Sequence, residues 1–169
     1  TEQTLSAMHG ARADLAGRIT VSTPVSLTLS LLHEHLLAFQ QQHPAVELDL
    51  RLSDRPVDLI REGVEVALRG RAQLDDSSFV AVPLMTMQRV VCAAPRYWQA
   101  HGRPRHPSDL STHNCLAYLL GTDASRWIFD GADRRHAVDV RGNLRADSSL
   151  LLIQALRRGL GVGLVPEPM

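Results

Sequence analysis

Residues 18–69 read RITVSTPVSLTLSLLHEHLLAFQQQHPAVELDLRLSDRPVDLIREGVEVALR, and this stretch decides the fold. Arg18–Thr23 is a short strand, rich in β-branched residues. Pro24 opens a helix that runs to about His43, with Leu29, Leu32, Leu36 and Phe39 on one face of a 3.6-residue period. Pro44 ends it. Val46, Leu48, Leu50 and Leu52 then alternate with Glu47, Asp49 and Arg51, which predicts a half-exposed strand near a sheet edge. Pro56 suits a first helical position, with Ser53 and Asp54 near the cap, Val57–Glu62 as a short helix and Gly63 as its stop. Val64–Arg69 is a third strand. Strand, helix, strand, helix, strand in such close succession argues for a parallel sheet with crossover helices. The first strand runs into Thr23-Pro24-Val25-Ser26 and no glycine-rich loop, which speaks against a dinucleotide or nucleoside triphosphate site.

Outward from this stretch, Thr1–Ala16 carries Leu5, Met8 and Leu15 at helical spacing before Gly17, like the end of a longer helix. Downstream, Gly70–Ser78 is loop-like, and Phe79–Leu84 and Arg89–Ala94 are strands. Pro95–His101 is a helix closed by Gly102, Ser108 is a helix cap within RPRHPSDLS, and Asn114–Leu120 is a strand. Trp127–Phe129 and His136–Val140 form a hairpin around Asp130-Gly131. Asp147 and Ser148 cap a helix over Ser149–Arg158, with Arg157 and Arg158 suited to its negative end and Gly159 as its stop. Leu160–Val165 is the last strand, ended by Pro166.

The 169 residues are 44% hydrophobic and 21% charged, ordinary for a soluble globular protein. Lys plus Arg and Asp plus Glu are 18 each, so the chain lacks the net positive charge that DNA phosphates require of a binder, and any DNA contact belongs to a part outside it. Aromatic residues at 4% are too few for recognition by stacking. Cys92 and Cys115 both lie in apolar runs and read as reduced core thiols. The histidines have no metal-ligand spacing, no G-x-S-x-G elbow occurs, and no run of residues is apolar enough for a membrane span.

The runs GRITVSTPVSL, FQQQHPAVELDLRLSDRPVDLIREGVEVALRGRAQLDDSSFVAVPL, CAAPRYWQAHGRPRHPSDLSTHNCL, RGNLRADSS and GLGVGLVP, in this order, resemble the regulatory domain of LysR-type transcriptional regulators over about Gly17 to Pro166. The subgroup most similar carries the LSDR, VDLI and EG motifs. Glu65 stands where that subgroup usually has Asp, and Asp147-Ser148 where an Asn-containing pair is common. The resemblance implies an α/β, type 2 periplasmic-binding-protein-like fold, two α/β lobes with a central cleft. Residues 1–17 are then the end of a linker helix, 18–91 lobe one, 92–166 lobe two, and 167–169 the return to lobe one, whose C-terminal part lies beyond Met169. A DNA-binding winged helix-turn-helix precedes Thr1 in such proteins. The implied function is effector sensing in a cytoplasmic DNA-binding transcriptional regulator. Its partners are a small-molecule effector, anionic or aromatic, and further copies of itself as a homodimer or tetramer. No cofactor and no metal are implied. The outer side of the Leu27–His43 helix and the Ser149–Arg158 helix of a second subunit are the implied dimer surfaces.

In open α/β sheets ligands lie at the C-terminal ends of strands. That places Thr23, Pro24, Val25 and Ser26 first, as hydroxyls and amides able to hold an anion, although Thr and Ser are also ordinary caps. Ser53 and Asp54 end the second strand, with capping as their plainer role. Arg69 ends the third, able to pair with an anionic effector or with a nearby carboxylate. Asp147 and Ser148 open the late helix, and Pro166 stands at the second chain crossing. A transporter's solute-binding protein is the alternative on the same fold. An enzyme ranks behind both, because no base and nucleophile stand in register.

Overall fold

The computed structural model describes residues 15–70, 80–121, 124–131 and 134–167. Two compact units divide the chain, Thr1–Ala72 and Gln73–Met169. This boundary precedes the one expected between residues 91 and 92, and the strand pairing given below explains why.

In the first unit, β1 (Gly17–Thr23) lies between β2 (Val46–Leu52) and β3 (Val66–Ala67), parallel to both. The register pairs Gly17 with Val46 through Thr23 with Leu52, and Ser22 with Ala67. All three strands therefore end at one edge. β2 is an outer strand among the described residues, which accounts for its alternating polar side. The crossover is one run of helix: α1 (Val25–Leu27), a π turn (Thr28–Leu32) and α2 (His33–Gln42). Gln40 Nε2 donates to the Val46 carbonyl at 2.9 Å and ties the helix end to the next strand.

Several local expectations give way here. Leu29 and Phe39, two of the four positions of the apolar stripe, are exposed, and α2 buries no residue at all. The wide π turn shifts the phase of everything after it, and what the helix run buries is Ser26 and Thr28. Val57–Glu62 is a hydrogen-bonded turn and not a helix. Asp58 accepts the Arg61 amide at its side chain and the Glu62 amide at its carbonyl, then Gly63 takes a positive φ of 62°. Residues 80–84 of the expected Phe79–Leu84 strand pair with nothing as a strand, and Val80, Val82 and Leu84 are exposed. The helix expected over Thr1–Ala16 falls almost wholly outside the described residues. Leu15 and Ala16 are not helical, and Gly17 already belongs to β1.

In the second unit, β4 (Arg89–Cys92) runs antiparallel to β9 (Gly163–Pro166) along its whole length, which is what carries it into this unit. β5 (Ala117–Tyr118) is parallel to β8 (Arg145–Ala146) and reaches β9 through the parallel bridge Cys115 to Val162. β6 (Arg126–Asp130) and β7 (Arg135–Asp139) are the expected hairpin. Helix α3 (Pro95–His101) and helix α4 (Ser149–Arg157) form where the caps predict, and Gly102 and Gly159 close them at positive φ. The Pro107–Thr112 segment is a 3-10 helix, and its cap is His106, not Ser108: His106 accepts the Ser108 amide while Asp109 accepts the His106 amide. Tyr97, Leu110, Cys115, Trp127, Val138, Val140 and Val162 form one buried cluster, and Leu116, Ala146, Leu152, Ala155 and Leu156 a second. Cys92 and Cys115 are free thiols, and burial pushes Cys115 up to about 11. Among the described residues no helix is long and apolar enough to cross a membrane.

Candidate functional site

The end of β1 is polar where a strand end between two neighbours is usually apolar. Thr20, Ser22, Thr23, Ser26 and Thr28 are all buried, and they make up all but one of the buried polar side chains among the described residues. A buried hydroxyl without a partner is costly, so each must be engaged or held ready for a guest. The Thr28 hydroxyl is hydrogen-bonded to Thr23 Oγ1 at 3.0 Å and to the Pro24 carbonyl at 2.8 Å. The Thr23 carbonyl accepts the Ser53 amide at 3.1 Å and locks the ends of β1 and β2 together.

Two charged groups flank these hydroxyls. Asp54 Oδ1 accepts the Ser26 amide at 3.3 Å and the Ser26 hydroxyl at 3.1 Å, so this carboxylate caps the helix run that follows β1. A carboxylate is favoured there because the first amides of a helix have no partner within it. Arg69 donates from Nη2 to Ser22 Oγ and from Nη1 to the Leu68 carbonyl, each at 2.8 Å. Thr23, Pro24, Val25, Ser26, Asp54 and Arg69 are thus brought to one sheet edge. Val25 is the first residue of α1. Ser53 is different: its hydroxyl turns back onto Arg55, donating to that carbonyl and accepting that amide, both at 3.2 Å. The local helix that Ser53 and Asp54 were to cap is absent, and Asp54 caps the preceding crossover instead.

In the second unit, β5, β8 and β9 run parallel. Tyr118 is level with Ala146, and continuing the Cys115–Val162 register brings it level with Val165. The three strands therefore end together, with Asp147, Ser148 and Pro166 along that edge. Ser148 caps α4, its Oγ accepting the Leu151 amide at 3.4 Å. Ser149 Oγ is buried there without a hydrogen bond. Asp147 is exposed and Pro166 half-buried, opposite Arg89.

Sequence reasoning missed Ser22 and Thr20. Both alternate with Ile19 and Val21 in the first strand, and small hydroxyls recurring every second residue in an apolar run are the signal of a buried polar face. Glu65, noted in the sequence only as standing for a usual Asp, accepts the Thr20 amide on Oε2 at 2.8 Å while its own amide donates to the Thr20 carbonyl.

A mixed α/β chain with parallel strands ending at polar loops and helix starts has the layout in which open α/β sheets place their ligand sites. The chain belongs to the LysR substrate binding domain family, whose sequence profile matches residues 12–169. It is 33% identical over 158 residues to a probable HTH-type transcriptional regulator, LtrA, of Klebsiella pneumoniae, covering 93% of this chain and 51% of that protein. The regulatory domain of CrgA, a LysR-type transcriptional regulator from Neisseria meningitidis, shares 26% identity at a TM-score of 0.79, over 91% of this chain and 74% of that one. A second CrgA structure covers 99% of this chain and 56% of its own, with a TM-score of 0.83 at 24% identity, a likeness of fold. The fold is accordingly type 2 periplasmic-binding-protein-like, and the relatives are transcriptional regulators and not transporter proteins. The chain spans about half the length of the curated relatives it matches.

Proposed function

We propose that this chain is the effector-sensing domain of a DNA-binding transcriptional regulator, acting in the cytoplasm as part of a homodimer or tetramer. A small molecule binds at the strand ends and favours one arrangement of the assembly by binding it more tightly than the other. DNA is contacted by a winged helix-turn-helix outside this chain. The observation that carries this reading is the concentration of buried hydroxyls at the end of β1, between a carboxylate and a guanidinium. Ser26 Oγ donates to Asp54 and Ser22 Oγ accepts from Arg69, so donors and an acceptor are already oriented at this edge for a guest.

The guest is a small carboxylate, alone or on an aromatic ring. Its charge would share the Ser26 amide and hydroxyl with, or take them from, Asp54, and would meet Arg69. A thermal-shift screen with small aliphatic and aromatic carboxylates tests this, since a ligand of the folded form raises apparent stability by about 2.7 kcal/mol at a hundred times its Kd. S26A and R69A should each abolish the shift. A full shift retained by both S26A and R69A would exclude the strand-end site.

A further inference from the structure

A recess of about 360 Å³ lies wholly within the second unit. Residues 92–95, at the exit of β4 and the start of α3, form one wall. Ile153, Leu156 and Arg157, in the last turns of α4, form another, and Val165 of β9 completes it. The volume falls in the range of small-molecule sites, about 300–1,000 Å³. Cys92, Ala93, Ala94, Ile153 and Val165 are only half-buried, so the recess leaves apolar surface in water that a guest would cover at about 25 cal/mol per Å².

Arg157 is the one charged residue of this lining. Its backbone carbonyl accepts from Arg96 Nη2 at 3.3 Å, while its guanidinium has no carboxylate partner among the described residues. The C-terminal end of α4 favours a cation there, which accounts for the charge but leaves its hydrogen-bond fork open. Guanidinium selects carboxylate through paired, charge-assisted bonds. A purely apolar guest would leave that fork unused, and a dianion would press a second charge onto an apolar wall at a desolvation cost.

We propose that this recess is a second ligand site, for a small amphipathic monocarboxylate whose apolar body lies on Ala93, Leu156 and Val165 and whose carboxylate meets Arg157. The site does not rest on the strand-end reading. Arg157 and Ser148 stand at opposite ends of α4, roughly 13 Å apart at 1.5 Å per residue. A guest here would fasten β4, β9 and α4 to one another, so its effect is on the stiffness of this unit.

Cys92 makes the proposal measurable. It is a half-buried thiol in the recess wall, and Cys115, at 1% exposure, is an internal control within the same chain. Iodoacetamide labelling followed by mass spectrometry, with 4-phenylbutyrate as the probe, should show Cys92 alkylation slowed about fivefold at four times the Kd, by mass action. The matching alcohol, 4-phenylbutanol, should protect little. R157Q changes an exposed side chain and should need about tenfold more acid for the same protection. The effect should persist in the S26A and R69A chains. Unchanged Cys92 labelling with the acid, equal protection by the alcohol, or full protection in R157Q would each overturn the proposal. So would loss of protection in S26A or R69A, which would assign the effect to the strand ends. Protection that rises with protein concentration alone would show a second copy covering the recess, and would overturn it too.

Discussion

Ser26 offers its amide and its hydroxyl to one oxygen of Asp54, a residue 28 positions away. That single carboxylate holds both donors, which an anionic guest of the proposed site would have to share with it or take from it. Glu65 works the same way over 45 positions, reaching the Thr20 amide at 2.8 Å beside a buried side chain. Removing it leaves that amide without an acceptor: E65A should lower stability by about 1–3 kcal/mol in urea unfolding, and E65Q, which keeps an acceptor oxygen, by less. Cys115 makes its contact with the Leu110 carbonyl at 3.4 Å from within the core, with a thiol raised to about 11. It should resist iodoacetamide at pH 8 in the folded chain and react once urea unfolds it. The linkage follows in sign: the unfolded thiol ionises near 8.5 and the folded one does not, so its contribution to stability falls as pH rises between about 8.5 and 11.

At the scale of elements, caps were the most legible features and packing faces the least. Ser148, Gly102 and Gly159 are local signals acting on neighbouring amides and carbonyls, and they stand where the sequence places them. S148A should cost about 1 kcal/mol and loosen the first turn of α4, seen as faster amide exchange at Leu151. The His106–Asp109 box was not legible, because histidine is a rare cap. The amides of His106 and Arg105 hold the Asp109 carboxyl below the usual carboxylate range. A depressed pKa contributes stability that is present above the unfolded value of about 3.9 and is lost as pH falls through the folded one, so acidification below about 4 should open this 3-10 helix. D109N should remove that dependence, followed by amide shifts of Ser108 to Leu110. Close approach of backbones is another tertiary demand. A Cβ on Gly142 would overlap the Cys115 carbonyl, and one on Gly161 the Asn114 carbonyl. Neither obstacle is a flexible side chain, so G142A and G161A should each cost about 2–4 kcal/mol, read as a lowered melting temperature.

At the scale of the whole molecule, the helix after β1 leaves Leu29, Leu37 and Phe39 in water, and α4 leaves Leu151. Apolar side chains exposed on helices in this way are the surfaces expected to meet a second copy, in keeping with the proposed assembly. L37E and L151E should each shift the sedimentation equilibrium toward monomer while leaving circular dichroism unchanged; dimers of undiminished affinity in both would remove these faces from the interface. The charge balance of 18 against 18 fits a domain that senses and leaves phosphate contacts to another.

Alternation and caps act between neighbours in the chain, and for that reason the first strand, its crossover helix and the second strand, the parallel first sheet, the hairpin, the place of Ser26 and Arg69 after strands and the cap at Ser148 could be read from the letters alone, whereas the helix expected over Val57–Glu62 and the strand expected over Phe79–Leu84 could not. The family could be read from them as well. Only the folded chain decided which distant groups became partners: Asp54 for the Ser26 amide, Glu65 for Thr20, Ser22 for Arg69. It also decided that Leu29 and Phe39 of the stripe after β1 lie exposed while Leu32 and Leu36 are half-buried. Periodicity shows that a face exists, but burial is set by what lies against that face, and no local pattern carries that.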